Sequence, residues 1–302
     1  MQLSRNLQGA LLMSAAMAGF TFNDALVKSV TGSLSTAQIM FVRGLFTSIL
    51  VLIIARWFGA LRSPKLILRP AVLVRILAEV GASITYIWAL GQIPLANASA
   101  ILQALPLAVT LGAAVFLGEP VGWRRWSAII AGFIGVLFVV RPGPEGFTLA
   151  SGIVIVCVIF AATRDLVTRK ISPDIPSLYI SATTAIAITI AGGLLIVPTG
   201  GWQPMDLGQT GILFAASILL LLGYQCIVLT MRTGEISFIA PFRYTSLIWS
   251  LSLGILIFAE IPDAWVITGV LIIVASGLYT FYRENRRRVE AVAQESMPGS
   301  PK

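Results

Sequence analysis

Apolar residues along this chain gather into long runs separated by short polar breaks. A bilayer-spanning helix takes about 20 mostly apolar residues. Runs that approach or reach this length are read at Gln8–Val30, Thr36–Trp57, Ala71–Leu90, Leu95–Leu117, Trp126–Val140, Thr148–Lys170, Pro176–Val197, Leu207–Thr230, Ser237–Ala259 and Ala264–Phe281. Turn-forming residues lie between them, among them Gly32, Pro94, Pro120, Pro142-Gly143-Pro144 and Gly200-Gly201. From Arg283 the chain turns charged, then rich in Ser, Pro and Gly, which predicts a short disordered tail over 283–302. The pattern predicts an all-α integral membrane protein of ten transmembrane helices, with no soluble domain.

Composition agrees. Of 302 residues, 57% are hydrophobic and 11% charged, against about 45–50% and 25% in an ordinary soluble domain. Mean hydropathy is +0.90. The net charge of +8 would suggest nucleic acid in a soluble protein; in a membrane protein, basic loops that hold the topology explain it, and no nucleic-acid partner is expected. With both termini placed in the cytoplasm, the inner segments carry 15 basic residues and the outer ones carry Arg141 alone. Lys28, Arg43, Arg75, Arg164 and Arg243 fall within spans. That asymmetry predicts a multi-pass protein of a bacterial inner membrane with both ends cytoplasmic. The absence of His removes the usual proton shuttle and the commonest metal ligand. Cys157 and Cys226 lie in apolar runs and suggest neither a disulfide framework nor zinc. The basic, then apolar start ending in Ala16-Met17-Ala18 looks like a signal peptide, but the apolar run continues and the repeat described next needs it.

Sliding the chain over itself by 141 positions aligns Asp24 with Asp165, Lys28 with Arg169 and Glu119 with Glu260. Asn23-Asp24-Ala25-Leu26-Val27-Lys28 then lies over Arg164-Asp165-Leu166-Val167-Thr168-Arg169. The offset spans five helices, an odd number, so the second half enters the membrane upside down. Two halves are expected, 8–140 and 148–282. Inverted repeats are a device of carriers, whose similar halves rock about a midplane site.

The helix ending Gly118-Glu119-Pro120 precedes Trp126-Ser-Ala-Ile-Ile-Ala-Gly132-Phe-Ile-Gly135, and Ala259-Glu260-Ile261-Pro262 precedes Gly269-Val-Leu-Ile-Ile-Val-Ala-Ser-Gly277. On these segments the chain resembles the drug/metabolite transporter superfamily, in its ten-helix group built of two EamA-type halves. Pro241-Phe242-Arg243-Tyr244 and Phe22-Asn23-Asp24 look like those of proteobacterial members. Some of these are similar to riboflavin carriers, some to S-adenosylmethionine carriers and some to amino-acid exporters.

An ionisable group in hydrocarbon costs about 2.5–3.5 kcal/mol on insertion scales, so each needs a partner or a wet cavity. Asp24 with Lys28, Asp165 with Arg169, and Arg75 with Glu79 are spaced to pair along a helix face. Arg43 and Arg243 have no acidic residue one turn away, so their partners must come from another helix, with Glu79 one option for Arg243, or from a substrate. Asp24, Lys28, Arg43, Glu79 and Asp165 are candidates for gating or coupling. Tyr86, Gln103, Tyr224, Arg243, Tyr244 and Trp249 are candidates for lining a substrate cavity, since hydroxyls and amides need partners in an apolar medium and a guanidinium among aromatics can take an anion or a flat ring. Pro106 and Pro241 interrupt the fourth and ninth helices and predict a hinge or a fixed kink. Gly132 and Gly135 predict close packing, either in a homodimer or between the fifth and tenth helices.

No G-x-x-x-x-G-K-[ST] stretch is present and no catalytic constellation can be assembled, so a secondary carrier is favoured over an enzyme, a channel or an assembly partner. No cofactor is expected. Span-embedded charge is five basic against three acidic, which disfavours cationic cargo such as S-adenosylmethionine. The tenth helix lacks a basic residue between Ala264 and Phe281, unlike sugar-phosphate and nucleotide-sugar relatives of the fold. What remains is a small neutral or zwitterionic molecule. Riboflavin uptake is the first expectation, resting on the resemblance; export of an amino acid, an aromatic one included, or S-adenosylmethionine transport is the alternative.

Overall fold

The computed structural model describes residues 5–118, 122–141, 148–172, 174–233 and 239–295. Glu119, Pro120 and the Pro142-Gly143-Pro144 turn lie outside the described residues. Eleven α-helices are defined here: α1 (Arg5–Val30), α2 (Thr36–Trp57), α3 (Pro70–Leu90), α4 (Leu95–Leu102), α5 (Leu105–Phe116), α6 (Trp123–Val140), α7 (Leu149–Thr168), α8 (Ser177–Ile196), α9 (Leu207–Thr233), α10 (Thr245–Phe258) and α11 (Ala264–Glu295). Short 3₁₀ turns cover Pro64–Leu68 and Ala240–Tyr244. Eight spans pass as long apolar helices, and shorter apolar helices at Trp126–Val140 and Ala264–Tyr279 supply two more. The fourth crossing is α4 followed by α5; the ninth is the second 3₁₀ turn followed by α10.

The helix starts follow local chemistry. Ser35 caps α2 by accepting from the Gln38 N–H at 3.2 Å, and Thr148 caps α7 by accepting from the Ser151 N–H at 3.2 Å. Proline stands in the first turn of α3 and α5, where a missing N–H costs nothing. The fourth crossing breaks at Gln103-Ala104, just ahead of Pro106, because proline has no N–H for the Leu102 carbonyl and its ring crowds the preceding turn. The ninth crossing tightens to 3₁₀ around Pro241. α11 does not stop at Phe281. It stays helical to Glu295 through a stretch rich in Arg, Glu, Ala and Gln, good helix formers that need no apolar partner. The tail expected to be disordered is therefore helical through residue 295, and 296–302 lie outside the described residues.

Helix pairing reveals the symmetry. α1 packs on α9, α3 on α7, α2 on α8, α4 on α10, and α6 on α11. Exchanging each crossing with its counterpart five crossings later returns the same set of pairs. Ser48 and Thr189, 141 residues apart, share a hydrogen bond of 3.1 Å, so equivalent positions of the two halves meet at the symmetry axis. Gly118 and Ala259, the same offset apart, both take the left-handed conformation, φ +67° and +54°, closing the fourth and ninth crossings alike. The protein consists of two inverted five-helix repeats.

Backbones approach closely where these pairs cross. A Cβ on Gly135 would stand 2.9 Å from the Gly269 carbonyl, and one on Gly269 would stand 2.6 Å from that of Gly135. Gly132 faces Ser276 and Leu107. These glycines thus serve the contact between the fifth and tenth crossings. Outward-facing side chains such as Ile53, Leu194, Leu222 and Leu271 are exposed and apolar, as lipid requires.

Candidate functional site

Between the halves lies a cavity of about 480 Å³. Asp24 and Phe20 reach it from α1, Arg43 from α2, Arg75, Glu79 and Tyr86 from α3, and Arg164 and Asp165 from α7. Tyr224 on α9 joins them, and Gln103 and Arg243 enter from the two helix breaks. A mostly apolar recess of about 570 Å³ shares Arg43, Arg75, Glu79 and Tyr224 with it and extends sideways between α2, α3, α8 and α9, past exposed Ile53, Phe58 and Leu222. The charged cavity carries the chemistry; the recess is an apolar annex.

The polar groups form two clusters. In the first, Asp24 accepts from the Tyr86 hydroxyl at 2.8 Å and from the Asn23 amide at 2.9 Å, while Arg43 donates to Asn23 Oδ1 at 3.3 Å. In the second, Arg164 donates to both Glu79 oxygens at 3.2 and 3.1 Å and to Asp165 Oδ1 at 2.8 Å. Each cluster grows from equivalent positions, Asn23-Asp24 and Arg164-Asp165. Arg75 donates to the hydroxyls of Thr168, at 3.0 Å, and Thr184, at 2.8 Å. Gln103 donates to the Arg243 carbonyl at 3.1 Å and to Ser246 Oγ at 2.8 Å. One break thereby holds a backbone carbonyl of the other, satisfying groups that irregular backbone frees inside a membrane.

One face is sealed. Lys28 at the end of α1 pairs with Glu260 at 3.0 Å and donates to the carbonyls of Leu90 at 3.0 Å and Ile93 at 2.6 Å. Its ammonium also lies 5.4 Å from the centre of the Phe258 ring. Glu260 in turn accepts from the Leu95 N–H at 2.8 Å. On the same face Gln38 and Gln203 exchange two bonds of 2.9 and 2.8 Å, Gln209 donates to Ser33 at 2.9 Å, and Arg141 pairs with Asp263. The Lys28–Glu260, Glu260–Leu95, Gln38–Gln203 and Gln209–Ser33 contacts tie one half to the other. Toward the opposite face the cavity and its annex reach exposed Thr168, Ser177 and Ser181.

The structure gathers most of the residues expected from sequence and rearranges their partners. Asp24, Arg43, Glu79, Tyr86, Gln103, Asp165, Tyr224 and Arg243 line the cavity. Lys28 does not; it pairs with Glu260 rather than Asp24, because its long side chain turns to the carbonyls at the sealed face. Glu79 pairs with Arg164 rather than Arg75 or Arg243, and Asp165 accepts from its neighbour Arg164. Tyr244 is not in the cavity. It packs in the core against Gly277 with its hydroxyl buried and, among the described residues, without a partner, because the 3₁₀ turn points successive residues a third of a circle apart and sends Arg243 and Tyr244 to different sides. Trp249 is not there either; it stacks on Phe22, ring centres 6.1 Å apart, at the outer edge of α1 and α10. Arg164, Asn23 and Arg75 also line the cavity, though sequence reasoning did not put them among the site candidates. For Asn23 and Arg164 the repeat held the signal, since the offset lays one over the other beside its aspartate.

Residues 7–141 match the EamA-like transporter family. Full-length relatives carry the likeness through the second half. The chain is 29% identical over 276 residues to a pseudopaline exporter of Pseudomonas aeruginosa, covering 88% of this chain and 94% of the relative. It is 29% identical over 288 residues to a riboflavin transporter of Vibrio cholerae, covering 93% and 95%. It is 27% identical over 274 residues to an S-adenosylmethionine uptake transporter of Rickettsia bellii, covering 87% and 90%. The chain is similar to EamA-type transporters of the drug/metabolite transporter superfamily. A solved crystal structure matches its fold with a TM-score of 0.65 at 16% identity, covering 92% of this chain and 98% of the other. The protein is a multi-pass membrane transporter of small molecules; the relatives differ in cargo.

Proposed function

We propose that this protein is an inner-membrane secondary carrier that moves a small neutral or zwitterionic metabolite by alternating access. The observation that carries the reading is a charged cavity between inverted halves, sealed at one face by the Lys28–Glu260 group and reaching toward the other. Basic loops assign the open face to the cytoplasm, with both termini on that side. Lys28 acts as a gate residue; Asp24, Glu79 and Asp165 are the groups available for proton coupling, and Arg43 holds the first cluster to α2. Binding and rocking, not covalent chemistry, are its work.

Riboflavin uptake is the specific reading, supported by riboflavin transporters among the relatives and by the Phe20, Tyr86 and Tyr224 rings on the cavity. Growth rescue tests it: the protein is expressed in a bacterium that neither makes nor imports riboflavin, and the vitamin is titrated. Rescue at low riboflavin is expected, lost in Tyr224→Ala and retained in Tyr244→Phe. Failure to rescue, with the protein present in the membrane, overturns the flavin reading. Amino-acid export is the second reading, favoured by the arginines that lack carboxylate partners. The excess of arginine over carboxylate in the cavity argues against a cationic cargo such as S-adenosylmethionine.

A further inference from the structure

Four arginines and three carboxylates line the cavity, and they do not cancel in pairs. Arg164 alone takes two of the carboxylates, Glu79 and Asp165. The third, Asp24, is held by Tyr86 and Asn23. Arg43 reaches an amide oxygen and Arg75 two hydroxyls. The Arg243 guanidinium has no hydrogen bond and no ion pair among the described residues. A charge in a membrane interior without a partner is expensive, and such groups mark substrate paths. Arg243 is also a fixed feature: Gln103 holds its backbone carbonyl, and α10 begins two residues later with Ser246 of its first turn on the cavity.

We infer that Arg243 receives a carboxylate of the cargo, so that the cargo is a zwitterion whose acidic end lies at the break in the ninth crossing. The planar guanidinium fork suits a carboxylate's two oxygens. Asp24, which has no arginine in ion-pair contact, is the group placed to take the cargo's ammonium. The inference rests on the carrier reading and, of its two cargo readings, develops the second, amino acids and related zwitterions.

The test uses the purified full-length protein in detergent and measures ligand-induced shifts in Tm. The probes are the common free amino acids, each beside its carboxamide, with riboflavin, riboflavin 5′-phosphate and inorganic phosphate as further arms. At least one free amino acid is expected to raise Tm, with its carboxamide bound at least about tenfold more weakly, as expected for loss of a hydrogen bond to a charged group. Arg243→Gln is expected to weaken that amino acid by about tenfold to a hundredfold, and Arg243→Lys by less. The ligand-free Tm of each variant checks folding, and Arg243→Lys provides a second reading should Arg243→Gln fail to fold. Equal binding of acid and carboxamide, unchanged affinity in Arg243→Gln, stabilisation by riboflavin or phosphate probes without any amino acid, or no shift from any probe each overturns the inference. None of these results touches the carrier reading, which fails separately if the cavity is never accessible from both faces.

Discussion

The Lys28–Glu260 pair gives the sharpest test of alternating access. Its side chains are 10% and 19% exposed, so the bond is shielded from bulk water. Removing one partner of a fully buried pair costs about 3–5 kcal/mol. Here Lys28→Met leaves Glu260 bonded to the Leu95 N–H, and Glu260 keeps some solvent, so about 2 kcal/mol is a better figure for the sealed state. At 1.4 kcal/mol per tenfold, that shifts the balance between faces by about 30-fold. Ser83→Cys places a reporter on the cavity wall, in a background where Cys157 and Cys226 are replaced by alanine. A membrane-impermeant maleimide added from the sealed face is expected to label Lys28→Met about 20- to 30-fold faster than the parent, with labelling from the other face slowed. Glu260→Gln is expected to do the same, and the double variant to label no faster than the faster single one, since both remove one interaction. Labelling from the sealed face that is unchanged in both single variants, or effects that simply add, refutes the gate.

Other consequences follow from the packing and the charge clusters. Tyr244→Phe removes a buried hydroxyl that has no partner among the described residues, so Tm in detergent is expected to hold or rise and transport to persist; a loss of transport overturns its assignment to the core. Gly135→Val puts a branched side chain where a Cβ already meets the Gly269 carbonyl, and is expected to destabilise by about 1–3 kcal/mol or more, read as a lower Tm. Ala259 holds a left-handed conformation that costs an L-residue about 1 kcal/mol, so Ala259→Gly is expected to raise Tm slightly. Arg164→Gln strands two carboxylates whereas Asp165→Asn, at a side chain 38% exposed, strands none, so the arginine variant is expected to lose far more thermal stability.

Sequence by itself determined the solvent, the crossings and the symmetry. Spanning a bilayer is a one-dimensional demand, met by run length, and ten runs mark ten crossings. The repeat is also one-dimensional, and the offset read from three charges is the one at which Ser48 meets Thr189 and Gly118 mirrors Ala259. Proline announced both helix breaks for local steric reasons. Sequence also named most of the cavity, because a charge or amide within a span has few other places to go. Tertiary structure alone decided who pairs with whom. Spacing along one helix suggested Asp24 with Lys28 and Arg75 with Glu79, yet Lys28 reaches Glu260 and Glu79 reaches Arg164. In an apolar medium an ion takes the strongest partner within reach, and for Lys28 and Glu79 that partner comes from the other half of the chain. Neighbours in sequence can also face apart, as Arg243 in the cavity and Tyr244 in the core do; that direction is set by the turn of the backbone and by what packs around it.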